Sequence, residues 1–318
     1  DDEWIKRFAI SARGGAELIE FPGNFKELFD MKTISQYLNL VRQKRGNVYR
    51  ELKTREILLK LRATQNKNVT MFGLLAFSNE TALQDLTAPT ANIAVTQYAG
   101  TSKVNPSDPE EVNIDDRDFS GNVIMQFEEA LKFILSKLPV KGRIDPEGKR
   151  RDHFVVPVVA LREILANAIV HRDYTTYSSR IQIDIYSDRI EFSNPGRSLV
   201  PLALIETAHS ETRNPLLMNY LRDFKITEQR GRGIRTIKTS LKAARLGEPK
   251  FEHRADWFVA TIYSTAFIKT DDQIWLQQFA AYKIKDRQLN ALVYVRNNKP
   301  GITNEIYRDI NNMNSVRD

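Results

Sequence analysis

The chain runs to 318 residues with 42% hydrophobic content, enough to bury real cores in two or three domains. It holds no cysteine, which excludes disulfides and thiolate metal sites and makes an intracellular, cytoplasmic protein the default. The formal net charge of +7 favours a polyanionic partner such as DNA, and no apolar run approaches the roughly 20 residues of a membrane span.

Residues 1–33 are irregular and glycine-spotted (Gly14, Gly15, Gly23), the pattern of a linker or the remnant of an upstream domain. The start, Asp1-Asp2-Glu3, is not a signal-peptide start. Residues 34–118 read as an N-terminal α/β region. Apolar periodicity predicts helices over 34–45 (Leu38, Leu40, Val41) and 48–62 (Leu52, Ile57, Leu58, Leu61). The stretches 69–77 and 91–98 read as strands, and 105–118 as a polar loop. A central domain is expected over 119–268, opening with an amphipathic helix at 127–138 and a charged loop at 141–152. Within that loop Lys149-Arg150-Arg151 is most simply a solvated run.

The segment 161–174 carries the most information. Glu163, Asn167 and His171 recur at every fourth position, so on a helix they form one stripe. Ile164, Leu165, Ala166, Ala168, Ile169 and Val170 fill the spaces between, which makes the helix a buried one. An unpaired buried polar group costs roughly 1–3 kcal/mol, so such a stripe calls for a polar pocket holding a ligand, a metal or water. The alternative is a core helix whose stripe faces neighbouring side chains or solvent. Beyond it, 180–186 alternates strictly with the isoleucines on one face, and Ser187-Asp188 is turn chemistry. A second strand at 189–193 is ended by Asn194-Pro195-Gly196-Arg197.

Asn214 as N-cap and Pro215 at N1 open a helix over 214–221. Arg230-Gly231-Arg232-Gly233 then precedes an amphipathic helix bearing Ile234, Ile237 and Leu241. Gly231-x-Gly233 is either an ordinary tight turn or a phosphate-facing one. Strands at 250–253 and 257–263 close the domain, and 264–284 reads as a connector. Residues 285–318 read as helix, short helix, turn and the start of a third helix near Ser315. That is the opening of a partial winged helix-turn-helix, or else an oligomerisation hairpin.

This order of motifs resembles the ATP-binding module shared by DNA gyrase, Hsp90, histidine kinases and the MutL mismatch-repair protein (GHKL). More narrowly it resembles the RecG-related, Schlafen AlbA-2 domain proteins, which are grouped as transcriptional regulators. The residues that carry the likeness are Glu163-x-x-x-Asn167-Ala168-x-x-His171-Arg172-Asp173-Tyr174, Ile190-Glu191-x-x-Asn194-Pro195-Gly196, Arg213-Asn214-Pro215-Leu216-Leu217 and Gly231-x-Gly233-Ile234. Gly73-Leu74-Leu75-Ala76-Phe77 also resembles a strand of that family. Its members usually carry an AlbA-2 DNA-binding domain upstream, whose pattern is not found here.

The resemblance implies ATP and Mg²⁺ as cofactors. Asn167 would take the metal-coordinating position and Glu163 the water-activating one, with His171 in a secondary place. Where the superfamily has an adenine-reading Asp and two glycines, this chain has Asn194, Gly196 and Ser198. An asparagine oxygen can still accept from the adenine amino group. Gly231 and Gly233 would bring backbone N–H groups to phosphate, aided by Arg230, Arg232 and Arg235. The expected architecture is an α/β (α+β) two-layer ATPase sandwich. There is no G-x-x-x-x-G-K-[ST] loop, which argues against a helicase motor, and H-E-x-x-H and G-x-S-x-G are absent. Thr236 breaks a G-x-G-x-x-G reading. The favoured function is an ATP-responsive, DNA-binding, homodimeric regulator. A slow Mg-dependent ATPase in DNA remodelling or defence, and a non-hydrolysing scaffold, remain as alternatives.

Overall fold

In the computed structural model, the described residues are 15–44, 47–87, 90–98, 100–103, 114–144, 150–207, 211–227, 233–244, 246–263, 270–279, 282, 284, 286–297 and 301–311. A 3₁₀ turn (Gly15–Leu18) and β1 (Glu20–Phe21) lead into α1 (Phe25–Leu28), α2 (Met31–Lys44), α3 (Asn47–Arg50) and α4 (Thr54–Lys60). The helix expected across 48–62 is therefore two. The Glu56 side chain accepts from the Lys53 N–H at 2.7 Å and starts the second afresh. β2 (Thr64–Gln65) and β3 (Asn68–Thr70) join β1 in a small antiparallel sheet ordered β1-β3-β2.

The strand expected at 69–77 is a helix for most of its length. Only Asn68–Thr70 is extended, and α5 (Met71–Phe77) follows with all seven residues buried. A continuous apolar run has no period to separate buried strand from buried helix. Here the Thr70 hydroxyl decides, accepting from the Gly73 N–H at 3.0 Å as an N-cap. Gly73 adds a packing reason, since a Cβ there would collide with the Ala63 carbonyl. α6 (Ala82–Leu86) completes this layer.

The central layer comprises β4 (Ile93–Gln97), β5 (Asp115–Phe119), α7 (Val123–Lys137), the hairpin β6 (Val140–Ile144) and β7 (Arg150–Phe154), and α8 (Val158–His171). It continues through β8 (Ile181–Ile185), β9 (Arg189–Pro195), α9 (Pro215–Asp223), α10 (Gly233–Ala243), β10 (Lys250–Arg254) and β11 (Trp257–Tyr263). Two expected loops thus contain strands. β5 reads Asp-Asp-Arg-Asp-Phe, a charged edge strand whose polarity hides it, and β6 and β7 lie within 140–154.

Six strands form one mixed sheet in the order β10-β11-β9-β8-β4-β5. Only the β4–β8 pairing is parallel. The sheet crosses the expected division at 118/119, because β4 and β5 come from the earlier segment. Register places Ile93, Ile181, Ile183, Ile190 and Phe192 on one face, and all are core residues. α7 and α8 cover that face, and α10 packs against α8. Asp184 and Glu191 face the other way and are held by Lys103 at 2.7 Å and by Arg189 and Arg254 at 2.6 Å. The isoleucine face expected for 180–186 is the core face.

Part of the 1–33 segment, expected to be a linker or the remnant of an upstream domain, is folded into the core. Residues 1–14 lie outside the described residues, but the Glu17 side chain is fully buried. Its carboxylate accepts from the Leu216 and Leu217 N–H groups at 2.9 and 2.7 Å, at the start of α9. Burial pushes this carboxyl up to about 7 against those two hydrogen bonds. C-terminally, α11 (Thr270–Gln277), α12 (Asp286–Asn297) and α13 (Asn304–Ile310) follow, with Arg296 paired to Asp272 at 2.8 Å. The third helix expected near Ser315 falls on 312–318, outside the described residues. No described helix is long and apolar enough to cross a membrane.

Candidate functional site

α8 is apolar on most of its surface and is pinned between the sheet and α10. Its polar stripe faces a cavity of about 300 Å³, which Glu163, Asn167 and His171 line together with Asn194, Gly196 and Gly233. The helix stripe, the β9 bend and the start of α10 therefore meet at one place. Arg230, Gly231 and Arg232 lie outside the described residues.

Each of the two glycines is required by close approach. A Cβ on Gly233 would run into Glu163 Oε1 and come within 3.1 Å of Asn167 Nδ2, so α10 begins directly against that pair. Gly196 has φ +105°, a left-handed conformation open to glycine, and a Cβ there would lie 2.9 Å from Asp173 Cβ. The Asp173 N–H donates to the Pro195 carbonyl at 2.9 Å, tying the segment after α8 to the β9 bend.

Arg213 stood in the sequence motif without a place in the expected site. It is 1% exposed and reaches the cavity wall. Its Nη2 donates to the Arg197 carbonyl at 2.8 Å, and its Nη1 lies 3.5 Å from Asp173 Oδ2. Asn214 occupies the expected N-cap position but does not cap its own helix. Its Nδ2 donates to the carbonyls of Val170 and Arg172 at 2.7 and 2.8 Å, closing the end of α8, while Glu17 caps α9 instead.

His171 sits beside this cluster. Burial, then the Arg213 charge, lowers its pKa to about 4, so the imidazole is neutral at pH 7. The unfolded chain takes up the proton first as pH falls from about 6.5, so this stabilisation is complete above that value and is lost on the way down to 4. His171→Gln is expected to flatten the fall of Tm between pH 7 and 4. A slope as steep as that of wild type would refute the assignment.

Two buried polar atoms of cavity-lining residues lack partners. Asn194 Oδ1 and Thr227 Oγ1 are buried without a hydrogen bond. Thr227 was invisible in the sequence, being a lone threonine in a loop with no spacing to mark it. Ile164, Phe192, Val200, Met218 and Phe258 give the cavity an apolar body, and Arg197 and Arg222 also line it. An apolar slot with a few convergent polar groups is the usual form of a small-molecule site. No group of three or more His, Cys, Asp or Glu residues placed to hold a metal occurs among the described residues.

Residues 178–262, from just before β8 into β11, match the family model described as "Putative ATP-dependent DNA helicase recG C-terminal". This segment is thus similar to an ATPase-like, RecG-related domain, while α8 with Glu163 and Asn167 lies ahead of it. Among solved structures, the crystal structure of the DIP2311 protein from Corynebacterium diphtheriae has a similar fold, with a TM-score of 0.57 at 16% identity. The likeness covers 93% of this chain and 56% of that one, so this chain spans little more than half the length of that protein. No curated protein matches the sequence.

Proposed function

We propose that the cavity binds ATP with Mg²⁺, and that occupancy controls contact with DNA or a partner protein. The observation that carries this reading is the cavity wall itself, which brings Glu163, Asn167, Asn194 and Gly233 together. The Asn194 carboxamide on that wall has the acceptor chemistry to meet a donor such as the adenine amino group. Ile164, Phe192 and Phe258 offer apolar surface to the base. Gly233 presents the N-terminus of an eleven-residue helix, the positive end of its dipole, to a phosphate. Gly231, Arg230 and Arg232 would extend that cradle.

Asn167 and Glu163 supply one carboxamide and one carboxylate, a donor set suited to Mg²⁺ that is held partly by phosphate oxygens. When bound, the ion would neutralise phosphate charge and fix the phosphate oxygens. The proximity of Glu163 to Asn167 favours a second reading, a slow ATPase in which Glu163 orients or deprotonates water. The net charge of +7 supports a nucleic-acid partner for either reading.

Titration calorimetry with Mg-ATP tests the proposal on wild type and Asn167→Ala. Wild type is expected to bind, and the variant to lose about tenfold or more in affinity, the scale of a lost metal-supporting contact. Glu163→Gln is expected to keep binding and, on the ATPase reading, to stop phosphate release. Absence of heat from wild type would leave a scaffold that binds no nucleotide.

A further inference from the structure

We infer that α4 and the β2–β3 hairpin form a binding site for double-stranded DNA, with α4 entering the major groove and the hairpin lying along the neighbouring phosphates. This deepens the DNA part of the reading above by naming its surface, and it holds whether or not the cavity binds a nucleotide. α3, residues 51–53 and α4 run straight into the hairpin, which β1 completes as the sheet β1-β3-β2. The order is helix, turn, helix and two-stranded wing. Ile57 and Leu58 bury one side of α4 in the core, and Leu61 seals its end. The opposite side is exposed and carries Arg55, Leu59 and Lys60, with Leu59 57% exposed. Seven residues make a helix about 10 Å long, and the B-DNA major groove is about 12 Å wide.

Charge selects the occupant. From 50 to 67 the exposed side chains include the cations Arg50, Lys53, Arg55, Lys60, Arg62 and Lys67, against the carboxylates Glu51 and Glu56. Cations elsewhere, such as Arg189, Lys238 and Arg254, are bound to carboxylates. None of the cations in this stretch has an ion pair among the described residues. Unpaired cations around an exposed leucine suit phosphates that flank the apolar methyl of thymine.

The backbone supplies an independent argument. Arg62 has φ +61° just after α4, where its N–H and that of Ala63 donate to the Leu59 and Leu58 carbonyls at 2.9 Å each. That is the helix-ending turn in which glycine is the usual residue. Asn66 and Lys67 form the two-residue hairpin turn with φ +48° and +70°, and there too glycine usually takes the second place. Among the described residues, three of the five non-glycine residues with positive φ fall in this short stretch. Two of the three are long cations held where a side chain strains the backbone, and strain kept at an exposed position points to function rather than packing. The turn is nonetheless pinned, since Asn66 Nδ2 and Asn68 Nδ2 each donate to the Glu20 carboxylate at 3.0 Å. Glycine at 62 and 67 would relax the backbone and remove only the charges.

Fluorescence anisotropy of the full chain with labelled duplex DNA of mixed sequence, over a range of salt and with and without Mg-ATP, tests this. Wild type is expected to bind, with log affinity falling linearly against log salt. Arg62→Gly with Lys67→Gly is expected to lose about tenfold or more in affinity and about 2 from the salt slope, while its Tm is no lower than that of wild type. A role confined to structure predicts the reverse, a changed Tm with unchanged DNA binding. Lys132→Ala with Lys242→Ala removes the same charge from exposed positions on α7 and α10, and is expected to bind DNA as wild type does. Equal losses in the two double variants overturn the site. So does duplex RNA bound as tightly as DNA, since the narrow A-form major groove excludes a helix. If the glycine variant does not fold, Arg55→Gln with Lys60→Gln is judged by the same affinity and slope. DNA binding that survives in the glycine variant refutes this surface and leaves the reading above intact. Wild type that binds no DNA under either condition also overturns the inference, and calorimetry with Mg-ATP then decides the nucleotide reading separately.

Discussion

Gly73→Ala is expected to destabilise the chain by about 3 kcal/mol or more, the upper range for overfilling a packed core. The added methyl would collide with the Ala63 carbonyl and lie 2.7 Å from Phe29 Cζ, and neither a backbone atom nor a ring edge in that core can retreat cheaply. The damage would not stay local. The Tyr220 hydroxyl on α9 donates to the Ala76 carbonyl at 2.7 Å, and Phe72, Phe77, Tyr37 and Tyr220 pack ring to ring. A shifted α5 would carry α9 with it, and with α9 the Met218 wall of the cavity. Thermal unfolding of Gly73→Ala, with Leu59→Ala at an exposed site as control, measures this. An unchanged Tm would disprove the packing assigned to α5.

Arg213→Met is the second substitution with a large expected effect, about 3 kcal/mol, in line with the loss of one partner from a buried ion pair. Methionine keeps much of the volume but abandons the Arg197 carbonyl and leaves the Asp173 carboxylate without its cation. Asp173 keeps its bonds from the Thr175 N–H and hydroxyl at 2.9 and 2.6 Å, which should hold the loss near that figure rather than far above it. The same change removes the positive charge that helps depress His171, so the imidazole should titrate above about 4 while burial still holds it below 6.5. Proton NMR titration of His171 and thermal unfolding report the two effects separately. An unmoved His171 titration would mean that Arg213 exerts no field there.

Much of the candidate site was legible from residue order. The stripe of Glu163, Asn167 and His171, the alternation at 180–186 and the bend at Asn194-Pro195-Gly196 are local patterns, and local patterns survive folding when the segment is amphipathic or sharply turned. What stayed hidden depends on distance along the chain. Glu17 accepts from a helix N–H 199 residues later, and no local rule pairs them. Asn214 sits at a proper N-cap position, yet its Nδ2 donates backward to the carbonyls that end α8 and its Oδ1 caps nothing. The run at 69–77 misled because uniform burial erases periodicity, leaving only Thr70 and Gly73 to tell a helix from a strand. β5 was hidden because an edge strand is free to be charged.

The mixed sheet bears on how this chain could be divided. β4 lies between β5 and β8 and supplies the parallel neighbour of β8 from a position well ahead of the matched 178–262 segment. A fragment excised at those limits would keep β8 through most of β11 yet leave a row of β8 amides and carbonyls bare, along with the isoleucine face that α7 and α8 cover. Such an edge recruits whatever extended chain it meets. The matched segment is thus one part of a larger cooperative unit, in which residues before position 100 finish a sheet begun after position 180.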